Sequence, residues 1–170
     1  MDKILALDIS TSRVGITVMN YDKKLISCDV VKLDSNKCLE ERCLDLENYL
    51  SSNPHDFKEV YIEQPFAMFS GGKTTARTMS SLQRFNGMIS LVAHQQFGNP
   101  PTMVGATTAR SRCGIKVPRG TKAKVVVLKW VDDKFDKFIV EHTRHGNPKP
   151  GLDDEADAIV VALSHFDLRK

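Results

Sequence analysis

The sequence predicts an α/β fold of five strands and several helices. Three observations predict it. Residues Met1 to Asn20 hold a continuous apolar run, Ile4 to Leu7, then Asp8, a turn-prone Ser10-Thr11-Ser12 and the alternating segment Val14 to Val18. That pattern is a β-hairpin. The segments after it read strand, helix, strand, so the order is β-β-β-α-β. From Thr74 onward, stretches with helical spacing dominate, broken by Gly- and Pro-containing loops.

Each element has its own grounds. Lys23 to Leu33 reads as the third strand, with Leu25, Ile26, Val30 and Val31 apolar. Ser35 or Asn36 can cap a helix to about Leu50, with Leu39, Cys43, Leu46 and Leu50 on one face and Glu40 and Glu41 in the first turn. Asn53-Pro54-His55-Asp56 ends it, and Glu59 to Glu63 is the fourth strand, closed by Pro65. Met68 to Lys73 reads as a flexible loop. A long helix from Thr74 to Phe97 carries Leu82, Phe85, Ile89, Val92 and Gln96 along one face. Met79, Met88 and Leu91 widen that stripe, which fits either core or a dimer contact. Thr102 to Gly105 is a short strand, Thr107 or Thr108 opens a short basic helix, and Ile115 to Gly120 is a basic loop. Thr121 can cap a helix to Phe135. His142 to Gly151 is a loop with two prolines and two glycines, and a last helix runs from Asp153 to Leu168.

Composition narrows the class. The chain has 170 residues, 41% hydrophobic and 26% charged, which suits one domain, residues 1–170, with a real core. No apolar run approaches the roughly eighteen residues of a membrane span, and no leader-like segment opens the chain, so a cytoplasmic protein is expected. Cys28, Cys38, Cys43 and Cys113 lack C-x-x-C spacing and read as reduced thiols. Net charge is only +3, yet residues 64–131 carry 10 Lys/Arg and no acid, against balances of −4 before and −3 after. A long acid-free block suggests a face that meets a polyanion, although an ordinary solvated surface could look the same.

Four carboxylates stand where chemistry is expected. Asp8 and Glu63 end two strands, and a site forms where neighbouring strands of an α/β sheet end. Asp154 and Asp157, three apart, project to one side of a helix's first turn. Turn formation explains Asp8 alone, and the helix dipole explains the Asp154/Asp157 pair alone. Neither explains the whole set as well as a metal does. An all-oxygen donor set suits magnesium or manganese better than zinc, and such clusters cleave phosphodiesters.

At this point a resemblance is specific. Leu7-Asp8 with the Ser12-Arg13-Val14-Gly15 turn, Ile62-Glu63-Gln64-Pro65-Phe66, and Asp154-Glu155-Ala156-Asp157-Ala158 match, in order and context, the RuvC-type Holliday junction resolvases. These belong to the ribonuclease H-like, or retroviral integrase, superfamily. The resemblance spans essentially the whole chain. Ile9-Ser10 in place of the usual Pro-Gly, and the Pro148–Pro150 loop, point to a divergent, phage-type member.

The resemblance implies a ribonuclease H-like α/β fold, a central mixed five-stranded sheet flanked by helices, and a magnesium-dependent endonuclease, with manganese substituting. It implies a homodimer that cuts two opposed strands of a four-way DNA junction, leaving 5′-phosphate and 3′-hydroxyl ends. Asp8, Glu63, Asp154 and Asp157 would bind metal and catalyse. Lys122 matches a family lysine near the scissile phosphate. Phe66 would stack on a base, worth about 1–3 kcal/mol. Arg110, Arg112, Lys116, Arg119 and Lys124 would hold phosphates, although each could equally be a surface charge. No membrane and no small-molecule cofactor are implied, and the setting is the cytoplasm of a bacterial or phage-infected cell.

Other readings compete. A YqgF-like RNA nuclease or a looser debranching nuclease keeps the chemistry and changes the substrate. A sugar-kinase-like ATP-binding domain shares the first hairpin but needs far more chain. A non-catalytic DNA-binding module would not need four carboxylates. Ser70 to Thr75 resembles the end of a phosphate loop but has Ala67 where that motif needs glycine. His165 reads as structural, not as a ligand.

Overall fold

The computed structural model describes residues 2–52, 56–65 and 75–169. Strands β1 (Lys3–Ile9), β2 (Arg13–Asn20), β3 (Leu25–Lys32), β4 (Phe57–Glu63) and β5 (Thr102–Val104) form one sheet in the order β3-β2-β1-β4-β5. The pairs β1/β2 and β2/β3 are antiparallel, while β1/β4 and β4/β5 are parallel, so the sheet is mixed as expected. The helices are α1 (Leu39–Ser52), α2 (Ala76–Phe97), α3 (Ala106–Arg112), α4 (Ala123–Asp132) and α5 (Leu152–Leu163), followed by a 3₁₀ turn at Ser164–Phe166.

Alternation along the strands divides the core in two. Leu5, Leu7, Val14, Ile16 and Ile62 face α1 and α2, packing on Leu46, Phe85 and Ile89. Ile4, Ala6, Met19 and Tyr61 face the other way, onto Val127 of α4 and Ile159 and Leu163 of α5. Asp8 keeps step with Ile4 and Ala6, and Glu63 with Tyr61. Both carboxylates therefore stand on the α5 side of the sheet.

Several boundaries differ from the sequence reading. The N-terminal turn of α1 is closed by the Cys38 N–H donating to Glu41 Oε2 at 2.8 Å, not by Ser35 or Asn36. Thr75 caps α2 through its side chain, which accepts from the Thr78 N–H, and Gly98 ends it with φ +78°. Lys122, not Thr121, is the N-cap residue of α4, with no side-chain cap bond. Helix α5 starts one residue early, at Leu152, and stops at Leu163 instead of Leu168. The suggested dimer stripe on α2 is split by packing: Met79 is buried, Met88 is half-buried against the core, and Leu91 is 56% exposed. Phe66, and the Met68 to Lys73 loop, lie outside the described residues.

One glycine decides how α5 sits. Gly15 pairs with Asp8 across the β1/β2 ladder. A Cβ on it would stand 2.5 Å from the carbonyl carbon of Asp154 and closer still to its oxygen. The backbone of the first α5 turn thus lies directly on β2. Gly151, at φ +105°, turns the chain into the helix over Val30.

Gly15→Ala should therefore lift α5 from the sheet, because the obstructing atoms are backbone and cannot rotate away. A loss of about 3 kcal/mol is expected, at the upper end of overpacking effects. Denaturant unfolding measures it; a loss below about 1 kcal/mol would mean that α5 is seated by other contacts.

Candidate active site

The ends of β1 and β4, the start of α5 and the near faces of α3 and α4 enclose a pocket of about 310 Å³. Asp8, Glu63, Asp154 and Asp157 line it together with Arg110 and Lys124. Parallel pairing brings the first two carboxylates side by side: Leu7 is in register with Ile62, so Asp8 and Glu63 are the next residues along their strands. The Glu63 end of β4 is held twice. Gln64 N–H donates to the Val104 carbonyl at 2.9 Å, and buried Asn86 of α2 donates to the Glu63 carbonyl at 3.3 Å.

The turn between β1 and β2 is built just as closely. The Ser10 hydroxyl accepts from Arg13 N–H at 3.0 Å and donates to the Arg13 carbonyl at 2.8 Å. Arg42 of α1 donates to the carbonyls of Thr11, Ser35 and Lys37 at 2.6, 2.8 and 2.9 Å, tying the turn to the β3–α1 loop. From this braced turn Arg13 reaches Asp154, Nε to Oδ2, at 3.3 Å. Lys124 Nζ contacts Asp153 Oδ2 at 2.5 Å with its side chain 61% exposed.

Burial sets the electrostatics. It raises Asp8 well above the ordinary carboxylate range, and repulsion from Glu63, Asp157 and Asp154 adds to this. Glu63 is pushed up to about 7, by burial first and by Asp157 second, while Arg110 and Lys124 oppose the shift. Burial lifts Asp157 to about 6 against the same two cations. Asp154 is also raised, by burial and by Asp153, despite Lys124 and Arg13. For Lys124, burial works against the charge, but the Asp153 hydrogen bond and the carboxylates outweigh it and raise its pKa. Like charges that share a low-dielectric site cannot all ionise cheaply. A hard divalent cation is the partner that relieves such an all-oxygen set. Among the described residues no three donor side chains already close into a cage. The carboxylates share one pocket and one electrostatic field.

The remaining sequence candidates fall in different places. Lys122 is exposed at the N-cap of α4 and does not line the pocket; the lysine that reaches the carboxylates is Lys124. Arg110 lines the pocket too, beyond the phosphate-holding role expected of it. Arg112 lies near Tyr61 and does not line the pocket, and Lys116 and Arg119 are exposed on the α3–α4 loop. His165 is structural: its Nδ1 is 2.8 Å from the Tyr61 hydroxyl, among the rings of Tyr21, Tyr61 and Phe166. Sequence reading missed Asn86, which nothing in its helical stripe marks out. It also quoted Arg13 in a motif without seeing its partner.

No protein-family model matches the chain. It is 27% identical over 173 residues to the crossover junction endodeoxyribonuclease RuvC of Aliarcobacter butzleri (strain RM4018), covering 96% of this chain and 97% of that protein. Two solved structures of Thermus thermophilus RuvC share its fold. The one in complex with a Holliday junction substrate has a TM-score of 0.67 at 15% identity, covering 99% of this chain and 95% of that one. The other has a TM-score of 0.66 at 19% identity, covering 98% and 95%. The fold is ribonuclease H-like.

Raised carboxylates hold protons more tightly in the folded chain than in the unfolded one. Their contribution is therefore present below the unfolded values, about pH 4, and is lost as pH rises through about 6 to 7. In the presence of a chelator, Tm should fall between about pH 5 and pH 8, and magnesium should restore most of it at the upper end. A flat profile would mean that folding does not raise the four groups.

Proposed function

We propose that the chain is a RuvC-type crossover junction endodeoxyribonuclease, one nuclease domain that acts as a homodimer on four-way DNA junctions in the cytoplasm of a bacterial or phage-infected cell. The observation that carries the reading is the pocket in which carboxylates from β1, β4 and α5 face Lys124 and Arg110. Full-length similarity to a RuvC supports it.

The residues divide the work. Asp8, Glu63, Asp154 and Asp157 would hold magnesium, or manganese in its place. Bound there, the ion would supply Lewis acidity and an acidified water for phosphodiester hydrolysis, leaving a 5′-phosphate. Arg110 and Lys124 attract the scissile phosphate into a pocket whose carboxylates would otherwise repel it. Lys124 has a flexible stem and donors able to follow charge as it develops on the phosphate oxygens. Arg13 keeps Asp154 oriented. Lys116, Arg119, Arg112 and Lys122 steer and hold the backbone at longer range, without reading sequence. Phe66 is proposed to stack on a base at the junction centre. Two active sites related by a twofold axis match the near-twofold symmetry of a junction and allow paired cuts.

An immobile four-way junction, tested beside plain duplex with and without magnesium, is the decisive substrate. Selective cutting of the junction is expected, and equal cutting of duplex would overturn the reading. Asp8→Asn, Glu63→Gln and Asp157→Asn should each abolish cleavage while junction binding persists.

The two lysines separate cleanly. Lys124→Ala should lower the cleavage rate by about 10²-fold or more, a loss of the size seen when one preorganised donor is removed. Lys122→Ala should weaken binding a few-fold with little further effect on rate. Single-turnover rates and binding isotherms for both variants check this, and the reverse ranking would return the catalytic role to Lys122.

A further inference from the structure

We infer that the cleft between α4 and the loop preceding α5 receives the sugar and base of one nucleotide beside the attacked phosphate. This rests on the nuclease reading above. The cleft encloses about 240 Å³, walled by Val125 and Leu128 of α4 and by Pro148 and Pro150 of the loop. It is smaller than the roughly 300–1,000 Å³ of pockets that hold drug-sized ligands, so it suits a single nucleoside.

Its position argues for a strand of DNA and not a free metabolite. Lys124 lines both this cleft and the carboxylate pocket, so a chain of phosphates held in one continues into the other. Lys149 stands at the cleft as a second cation. Each lysine now has an acidic partner: Lys124 contacts Asp153 at 2.5 Å and Lys149 contacts Glu141 at 2.7 Å. With 61% and 53% of the two lysine side chains exposed, such pairs contribute little and exchange readily for phosphate oxygens. The acids hold the cleft near neutrality until DNA arrives.

The wall is preformed. Lys149 N–H donates to the Glu141 carbonyl at 2.9 Å and Thr143 N–H to the Asn147 carbonyl at 2.7 Å. His142 and Pro148 form an antiparallel bridge, and Gly146 closes the turn at φ +77°. Two prolines fix the backbone where it faces Val125, so little ordering entropy is lost on binding. Val125 itself is 59% exposed, an apolar side chain that gains free energy only when something covers it. A deoxyribose and the face of a base can do so.

The test scans four-way junctions carrying a single abasic site at successive positions, with binding measured without divalent metal so that no strand is cut. One position should weaken wild-type binding by about three- to tenfold. Val125→Ser should bind intact junction more weakly by a similar factor and be indifferent to the abasic site there, while Val125→Leu keeps the wild-type pattern. With magnesium, that position should map beside the cut, because Lys124 lines both the cleft and the carboxylate pocket. No sensitive position, or a sensitivity that Val125→Ser retains, overturns the inference. Cutting without an abasic effect would leave the nuclease reading intact, and an abasic effect without cutting would overturn that reading and with it the placement beside an attacked phosphate. Failure to bind any DNA overturns both.

Discussion

The contact between the first turn of α5 and Gly15 is the constraint on which the site depends. Gly15 lies opposite Asp8 in the β1/β2 ladder, and the Asp154 backbone rests where a side chain would otherwise be. Because Coulomb energy varies inversely with distance, lifting the helix by one methyl group would weaken the coupling between strand and helix carboxylates. The same seating puts Asp154 within reach of Arg13. The braces on the β1–β2 turn, from Ser10 and Arg42, keep the platform from shifting under the helix.

What this arrangement creates is unfavourable by itself. Four acids share a partly dehydrated pocket, and Asp8, Glu63, Asp154 and Asp157 all shift upward. Arg13, Arg110 and Lys124 relieve the repulsion only in part, each from a different element. The result is a site with an unmet demand for positive charge, sustained by the packing of Ile159, Leu163 and Val127 beneath it. The fold accepts a local electrostatic cost there because the hydrophobic contacts of α5 are made elsewhere along the same helix.

Charge that is contiguous in sequence is not contiguous in space. Within the acid-free block, Arg84 turns outward to pair with Glu40 of α1, and Lys129 pairs with Asp133 one turn along α4. Lys124 pairs with Asp153 beside the site, and Arg110 enters the pocket. Lys122 and Lys124 separate for a simple reason. Lys122 is the extended N-cap residue before α4, whereas Lys124 lies in its first turn, which borders the pocket.

Periodicity and chain order were enough to read the five strands, the hairpin carrying Asp8, the β4 end carrying Glu63, and Asp154 and Asp157 on one side of α5. These follow from rules with periods of two and 3.6 residues, which operate locally. Helix ends were less legible, since Cys38, Lys122 and Gly151 occupy caps that their neighbours Ser35, Thr121 and Asp153 suit at least as well by propensity. Met79 was open to either face until α2 was packed on the sheet. The placement of Lys124, and not Lys122, at the pocket, the Arg13–Asp154 pair and the Asn86 brace on Glu63 needed the tertiary structure. Each joins residues far apart in the chain, and which of two near-equivalent side chains makes the contact depends on how one helix is rotated against a sheet. No single segment's sequence contains that rotation; the packing of α4 and α5 over Gly15 determines it.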